Sequence, residues 1–343
     1  MREYSLKDLV TIKNGKDHKK LKDGEHPVYG SGGIMRYVDS YLYDKESVLL
    51  PRKGTLNNIQ FVNVPFWTVD TCYYTEVNEA LVLPYYLFCC LRNFDVESLN
   101  TGSAVPSMTF EKYYTIKVRI PEIEEQRKVA ELLFSYDTLI ELNNRKIKLI
   151  DEEVELVYQS WFKEFRYPGH ENDFIENEKP NGWMVASVTD LLDVRYGKDH
   201  KKLEDGDIPV FGSGGLMRKV KPILYSGESV LIPRKGSLNN ILHVSGDFWT
   251  IDTMFYTAPK KENVVKYLYL FLRGLDMYSF NTGAAVPSMT INILDTIKVL
   301  LPPDNILEKF EKTVAPQFEL IRVLQRQNDC LARERDAALL QLI

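Results

Sequence analysis

Cysteine is scarce. Four occur in 343 residues, at positions 72, 89, 90 and 330, and no two form a C-x-x-C pair. A disulfide framework or a structural zinc site lacks its residues, and reduced thiols in a cytoplasmic protein are expected. Long apolar runs are missing too. The longest, Leu81–Leu91, is too short to cross a bilayer and contains Pro84. The first residues, Met1-Arg2-Glu3-Tyr4, open no apolar stretch of the kind a secretory signal carries. There are five histidines, with no obvious metal set. No Walker P-loop, G-x-S-x-G elbow or H-E-x-x-H helix occurs. Phe211-Gly212-Ser213-Gly214-Gly215 superficially resembles a glycine loop for S-adenosylmethionine, but no Asn-Pro-Pro-Tyr or Asp-Pro-Pro-Tyr element accompanies it to hold a target base. The chain is therefore read as non-catalytic, with no cofactor or metal of its own.

An excess of positive charge is also absent. The formal net charge is −5, so the total announces no globally basic nucleic-acid binder. With 44% hydrophobic and 27% charged residues, the chain can bury cores and has length for about two domains.

What is present is repetition. Gly15-Lys16-Asp17-His18-Lys19-Lys20-Leu21 returns 182 residues later as Gly197-Lys198-Asp199-His200-Lys201-Lys202-Leu203. Gly30-Ser31-Gly32-Gly33, Pro51-Arg52-Lys53-Gly54 and Trp67-Thr68-Val69-Asp70-Thr71 return at that offset, the last as Trp249-Thr250-Ile251-Asp252-Thr253. Val105-Pro106-Ser107-Met108-Thr109 returns at an offset of 181. Of the 45 positions from 15 to 59, 32 are identical between the copies. The period is far too long for a solenoid, so a whole domain is duplicated. Within each copy, short apolar runs such as Ser47–Leu50, Gln60–Val64 and Ile116–Ile120 read as strands, and Leu83–Leu91 and Val265–Leu272 as short helices. The fold class is mixed α/β.

Each copy ends in an apolar strand and a proline, Pro121 or Pro302, after which long charged helices are predicted. In the first, about 123–165, Val129, Leu133, Tyr136, Ile140, Asn143, Ile147, Ile150, Val154, Val157 and Trp161 follow alternating steps of four and three. That narrow seam packs against one other helix. In the second, Phe310, Val314, Gln317, Ile321, Leu324, Asn328, Leu331, Arg335, Ala338 and Leu342 continue the pattern, and Pro316 is expected to delay the continuous coil until after it. Asn143 and Asn328 are polar intruders. Either they fix register or helix curvature turns them outward. The segments expected are a first domain at 1–121, a first spacer helix at 122–166, a linker at 167–182, a second domain at 183–302 and a second spacer helix at 303–343. The two helices would form an antiparallel coiled coil.

The charge divides unevenly among these segments. Residues 1–121 carry 15 Lys and Arg against 14 Asp and Glu, and residues 182–302 carry 14 against 12. Residues 122–181 carry 8 against 15, and the remainder 6 against 7. The acidity lies mostly in one spacer. In the domains, lysines cluster in loops that also carry asparagine. Lys16, Lys19, Lys20, Arg36, Arg52, Lys53, Asn57 and Asn58 have counterparts in Lys198, Lys201, Lys202, Arg218, Arg234, Lys235, Asn239 and Asn240. Lysine and arginine suit phosphates, and Asn and Arg can read purine edges. Thr101, Ser107, Thr282 and Ser288 lie on repeated Gly/Pro loops and are weaker candidates. His18 and His200, each following an aspartate, suit loop hydrogen bonding or a DNA contact better than catalysis.

The order domain, helix, domain, helix resembles the specificity (S) subunit of type I restriction-modification systems, over nearly the whole chain. The specific pieces are Ile116-Lys117-Val118-Arg119-Ile120-Pro121 with Glu125-Gln126-Arg127-Lys128-Val129 and Asn143-Asn144, and Pro180-Asn181-Gly182-Trp183 with Asp190-Leu191. The first copy lacks the Pro-x-Gly-Trp opening, and the second junction, Pro302-Pro303-Asp304, lacks the Glu-Gln pair. The resemblance implies that two target recognition domains each read half of a bipartite double-stranded DNA site, with the helices as a ruler. It implies two modification (methyltransferase) subunits docked near the spacer and restriction/motor subunits beyond them. S-adenosylmethionine, ATP and Mg would then sit on those partners only. Similar domains related by a two-fold axis would read a nearly palindromic, interrupted site. The sequence alone also admits a coiled-coil scaffold with duplicated adaptor domains and no DNA role.

Overall fold

The computed structural model describes every residue except 93, 97, 98, 100–105, 173, 174, 177, 178 and 282–286, and the side chains of 172, 175 and 176. The longer helices are α1 (Pro84–Arg92), α2 (Ile123–Phe162), α3 (Val265–Arg273) and α4 (Asp304–Leu342). The chain forms two compact units, residues 1–145 with 324–343, and residues 146–323. Each unit thus holds one domain copy, the beginning of the helix that follows it and the end of the other long helix.

In the first unit, Arg2–Ser5 pairs antiparallel with Lys117–Ile120 and ties the two ends of the domain together. Ser5 then starts a helical turn with a capping box. Asp8 Oδ2 accepts from Ser5 Oγ at 2.6 Å and Ser5 N at 3.0 Å, which holds the Asp8 carboxyl below the usual carboxylate range. An antiparallel sheet follows in the order Val10–Lys13, Cys72–Val77, Ser47–Pro51, Gln60–Val62. Ser47–Pro51 is buried throughout because α1 covers it, with Tyr86 and Leu87 packed among Val48, Leu50 and Leu56. Each such apolar side chain contributes about 1.5–3 kcal/mol. Pro84 stands at the first position of α1, where a missing N–H costs nothing. A second sheet, Gly33–Val38, His26–Gly30, Trp67–Thr68, forms the outer part of the domain.

The second unit repeats this plan with one change. Gln60–Val62 and Trp67–Thr68 are separate strands in the first unit, whereas Leu242–Thr250 runs as one, so the second unit has a single six-stranded sheet. Pro65, which has no N–H to offer a ladder, interrupts the first version. In the second, Gly246 (φ +105°) pairs with Gly227 (φ +142°) and the strand continues.

Beneath each domain lies its portion of the helices. In the first unit Val129, Ala130, Leu133 and Leu339 join the domain core. Gln126, fully buried, accepts from Leu83 N and donates to the carbonyls of Leu81 and Pro121, each at 2.9 Å, clamping α1 to the start of α2. Leu307 stands at the matching position of the second junction and is buried in apolar contact instead. That substitution accounts for the missing Glu-Gln pair. The last residues of the short helices make the other tie. Arg92 and Arg335 both reach Asp137, at 3.0 and 2.6 Å, and Tyr85 donates to it at 2.6 Å. In the second unit Arg273 reaches Asp151 at 2.7 Å and Glu155 at 3.1 Å.

The helix pairing in the first unit is antiparallel, since Asp137 meets Arg335 while Asn143 meets Asn328. Asn143 is 6% exposed and donates to Asn328 Oδ1 at 2.9 Å and Gln327 Oε1 at 3.1 Å. Asn328 donates in turn to Asn144 Oδ1 at 2.8 Å. The asparagines therefore face each other, as a register device requires, and curvature does not turn Asn143 out. Leu133, Val154 and Leu324 are buried, and Ile140, Ile147, Ile150, Ile321 and Leu331 half-buried. The expectation that Pro316 delays the coil is corrected, because α4 is continuous from Asp304 to Leu342 with Pro316 inside it. Pro316 is exposed, so the Lys312 carbonyl it cannot bond is free to meet water. Phe310 and Val314 on one side and Phe318 on the other hold the axis through packing. The first helix ends at Phe162, slightly before the expected 165.

The second unit carries a buried charge cluster around Lys266. Lys266 pairs with Glu228 at 2.6 Å and with Glu311, and Glu228 also meets His243 at 2.7 Å. The first unit has Glu46, Phe61 and Tyr85 at the positions of Glu228, His243 and Lys266. Burial alone would raise the Glu228 carboxyl, but hydrogen bonds from His243 and Lys266 outweigh it and hold the pKa at about 2, below its ordinary 4.5. The ionised form is favoured by folding. Its stabilisation, on the order of 3 kcal/mol, is complete above the ordinary pKa and is lost as pH falls through that depressed value.

Two outcomes are expected. In an acid titration followed with single-tryptophan variants, Trp161, Trp183 and Trp249 of the second unit should report unfolding at higher pH than Trp67 of the first. Asn143→Ala should lower stability by about 1–2 kcal/mol through the unpaired amide of Asn328, while Asn143→Leu with Asn328→Leu should raise it, read from urea midpoints.

Candidate nucleic-acid interface

The repeated motifs, separate in sequence, meet at one segment, Trp67–Thr71. Lys16 N donates to Thr68 O at 2.8 Å, and the Trp67 indole donates to Lys16 O at 2.9 Å. Gly15 is required here, since a Cβ would lie 2.0 Å from Val69 O. Arg52 N donates to Thr71 O at 2.8 Å, and its guanidinium to Asp70 O at 3.3 Å. Gly54 N donates to Pro106 O and Met108 N to Arg52 O, so the Pro-Arg-Lys-Gly turn is bonded to the Pro-Ser-Met loop. The second copy repeats these bonds with Lys198, Trp249, Thr250, Arg234, Asp252, Thr253, Gly236, Pro287 and Met289. Gly197 is again required, 2.0 Å from Ile251 O.

The lysine loop wraps a small core of its own. Leu21 packs on Val28, Val38, Val69 and Trp67, and Leu203 on the matching residues of the second copy. Asp17 Oδ1 accepts from Lys19 N at 3.1 Å, and Asp199 from Lys201 N at the same distance. These backbone bonds hold both carboxyls below the usual carboxylate range. Asp17 and Asp199 thus shape the turn that presents the lysines. The carbonyl of His18 accepts from Leu21 N, while the ring Nδ1 atoms of His18 and His200 are shielded and bond to nothing among the described residues.

The candidate residues then separate by role. Lys16, Lys19, Lys20 and Lys53 are exposed, as are Lys198, Lys201, Lys202 and Lys235. Arg36 is turned inward, donating to Leu21 O at 3.2 Å and Asp23 at 2.6 Å, and Arg218 does the same with Leu203 O and Asp205. Asn58 and Asn240 donate to Ser31 O and Ser213 O, both at 2.8 Å, fixing the glycine turn. Asn57 is exposed, but Asn239 is bonded to Asp276 and Met277 N. Ser107 and Ser288 form isolated bridges with Lys53 and Lys235. Thr101 and Thr282 lie outside the described residues. Arg52 and Arg234 are half-buried, each over a ring, Tyr73 at 5.8 Å and Tyr196 at 5.2 Å. Sequence reasoning missed this backbone hub. The repeat of Trp67–Thr71 was its only visible signal, because its work is done by backbone carbonyls.

Two exposed lysine arrays on identical rigid frames suit a polyanion. Residues 1–152 and 180–327 match the family described as type I restriction modification DNA specificity domain. The chain belongs to that family. The MjaIX specificity subunit of a type I restriction enzyme from Methanocaldococcus jannaschii is 24% identical over 337 residues, covering 88% of this chain and 78% of that one. The HindI specificity subunit of Haemophilus influenzae is 19% identical, with 78% of each chain covered. The crystal structure of a type I restriction-modification S subunit from M. genitalium has the same fold, with a TM-score of 0.69 at 16% identity over 100% of this chain and 96% of that one. Each DNA specificity domain of this chain carries one copy of the lysine frame.

Arg36→Ala should lower stability by about 1–3 kcal/mol, because two loop acceptors, Leu21 O and Asp23, lose a charged donor. Lys53→Ala should stay within about 0.5 kcal/mol of the parent. Urea denaturation of the two variants distinguishes a frame residue from a surface one.

Proposed function

We propose that this chain is the non-catalytic, DNA-reading subunit of a type I restriction-modification complex, each domain reading one half of a bipartite duplex site. One observation carries the reading: the same exposed lysines stand on the same bonded frame in both copies. Family membership supplies the class of ligand. Because 32 of 45 positions at the frame are identical, the two half-sites should be similar, and the whole target close to an interrupted palindrome. The long helices would set the spacing between halves.

The chemistry is proposed to come from partners. Two modification subunits would bring S-adenosylmethionine, and restriction/motor subunits ATP and Mg. Leu149 and Leu156, seven residues apart on the part of α2 that lies in the second unit and 57% and 65% exposed, leave an apolar face outside the seam, which supports docking of a partner helix there. No helix among the described residues is long and apolar enough to cross a membrane.

Methylome sequencing of a host carrying the system tests the reading. A bipartite motif with related halves is expected, and two unrelated halves would overturn the near-palindrome. In fluorescence-anisotropy titrations, Lys16→Ala with Lys19→Ala and Lys20→Ala should reduce the slope of log K against log salt by about two to three. Arg52→Ala with Arg234→Ala should weaken binding by about 1–3 kcal/mol. Unchanged binding would remove these residues from the interface.

A further inference from the structure

Lysines grip phosphates of any sequence, so the frame explains holding better than reading. Between the lysine loops stand side chains of another kind. The hairpin His26–Gly30/Gly33–Val38 carries Ile34 and Met35 at its tip, 51% and 59% exposed. The hairpin of the second copy carries Leu216 and Met217, 58% and 52% exposed. Large apolar side chains are thus held in water at the same place twice.

The tip is rigid. Gly30 pairs with Gly33, whose φ of +116° closes the turn. Asn58 bonds Ser31 O at 2.8 Å and Gln60 bonds Gly30 O at 3.3 Å. A Cβ on Gly30 would come within 2.9 Å of Met35 Sδ, and one on Gly212 within 2.7 Å of Met217 Sδ, so each methionine lies across a seat that only glycine leaves open. Two lysine-bearing turns are held against this hairpin. Gly54, next to Lys53, abuts Ser31, and the loop of Lys16, Lys19 and Lys20 is tied alongside by Arg36 and by the bond from Asp39 N to Lys22 O. Positive edges around an apolar point match one polyanion with an apolar floor, the groove of a DNA duplex. The major groove, about 12 Å wide, admits a two-stranded ribbon and displays thymine methyl groups.

We propose that each hairpin enters the major groove and that Ile34 with Met35, and Leu216 with Met217, contact thymine 5-methyl groups, making the tip a specificity determinant of its half-site. The inference rests on the DNA reading proposed above. The test uses the full-length chain, alone and with modification subunits, and a pool of randomised 30-base-pair duplexes whose retained members are sequenced. The parent should enrich a bipartite motif, and Leu216→Ser with Met217→Ser should flatten the thymine preference of one half while the other half keeps it. Replacing thymine by uracil in the duplex enriched by the parent needs no variant, and should weaken binding about fourfold per contacted methyl group. An unchanged motif from the variant, or a uracil duplex bound as tightly as the thymine one, overturns the inference and leaves DNA reading intact. No motif from the parent in either form overturns both.

Discussion

The backbone of Trp67–Thr71, repeated as Trp249–Thr253, is the constraint on which the rest of the interface depends. Its carbonyls receive Lys16 N, Arg52 N and the Arg52 guanidinium, and the Val69 N–H donates to Tyr29 O. A short stretch without net positive charge thereby fixes the lysine loop, the Pro-Arg-Lys-Gly turn and the glycine hairpin relative to each other. Holding cationic loops by main-chain bonds leaves the lysine side chains unspent. Arg36 is turned inward to bond the loop, while the lysines face out. A planar guanidinium satisfies two acceptors in fixed geometry, and an ammonium on a long stem can follow a phosphate.

The duplicated domains solve one packing problem with different residues. Gln126 clamps the first junction through hydrogen bonds, and Leu307 fills the second with hydrocarbon. A Glu–Lys–His–Glu cluster supports the second sheet where Phe61 and Tyr85 stack edge to face in the first, with centroids 5.1 Å apart. A buried polar network is strong only when complete, so such exchanges must occur in whole sets. The frame under the lysines shows no such freedom. Gly15 and Gly197 each sit against a carbonyl, and a repeat can diverge in its core more easily than at a point where backbone meets backbone.

Much of this was legible in the sequence, and the reasons differ by element. The duplication and the heptad seam are periodic signals, and periodicity survives without coordinates. The seams marked Asn143 and Asn328 as polar intruders but left open whether they fix register or turn outward, and only the bond between them decides it. The roles of Arg36, Asn58 and Asn240 were not legible, because a basic or amide side chain in a loop reads the same whether it faces solvent or a carbonyl 15 to 27 residues away. Pro316 misled for a related reason. Its helix-breaking tendency is local, about 3 kcal/mol, and Phe310, Val314 and Phe318 pack closely enough to carry the helix through it.

The charge balance gains a structural meaning from the ion pairs within each unit. The excess acid of the spacer is partly committed within the chain. Asp137 holds Arg92 and Arg335, and Asp151 with Glu155 holds Arg273. These pairs join the final residue of each short domain helix to a long helix, so each domain is keyed to its spacer by charge as well as by apolar packing. A half-exposed ion pair adds little stability by itself, but Arg335 is 14% and Arg92 21% exposed, where an unpaired charge is costly. The acidic residues therefore favour one seating of each domain on its helices over a slipped one. A reader of two separated half-sites needs that fixed seating, because a domain free to rotate on its spacer could not present its lysine frame in one orientation.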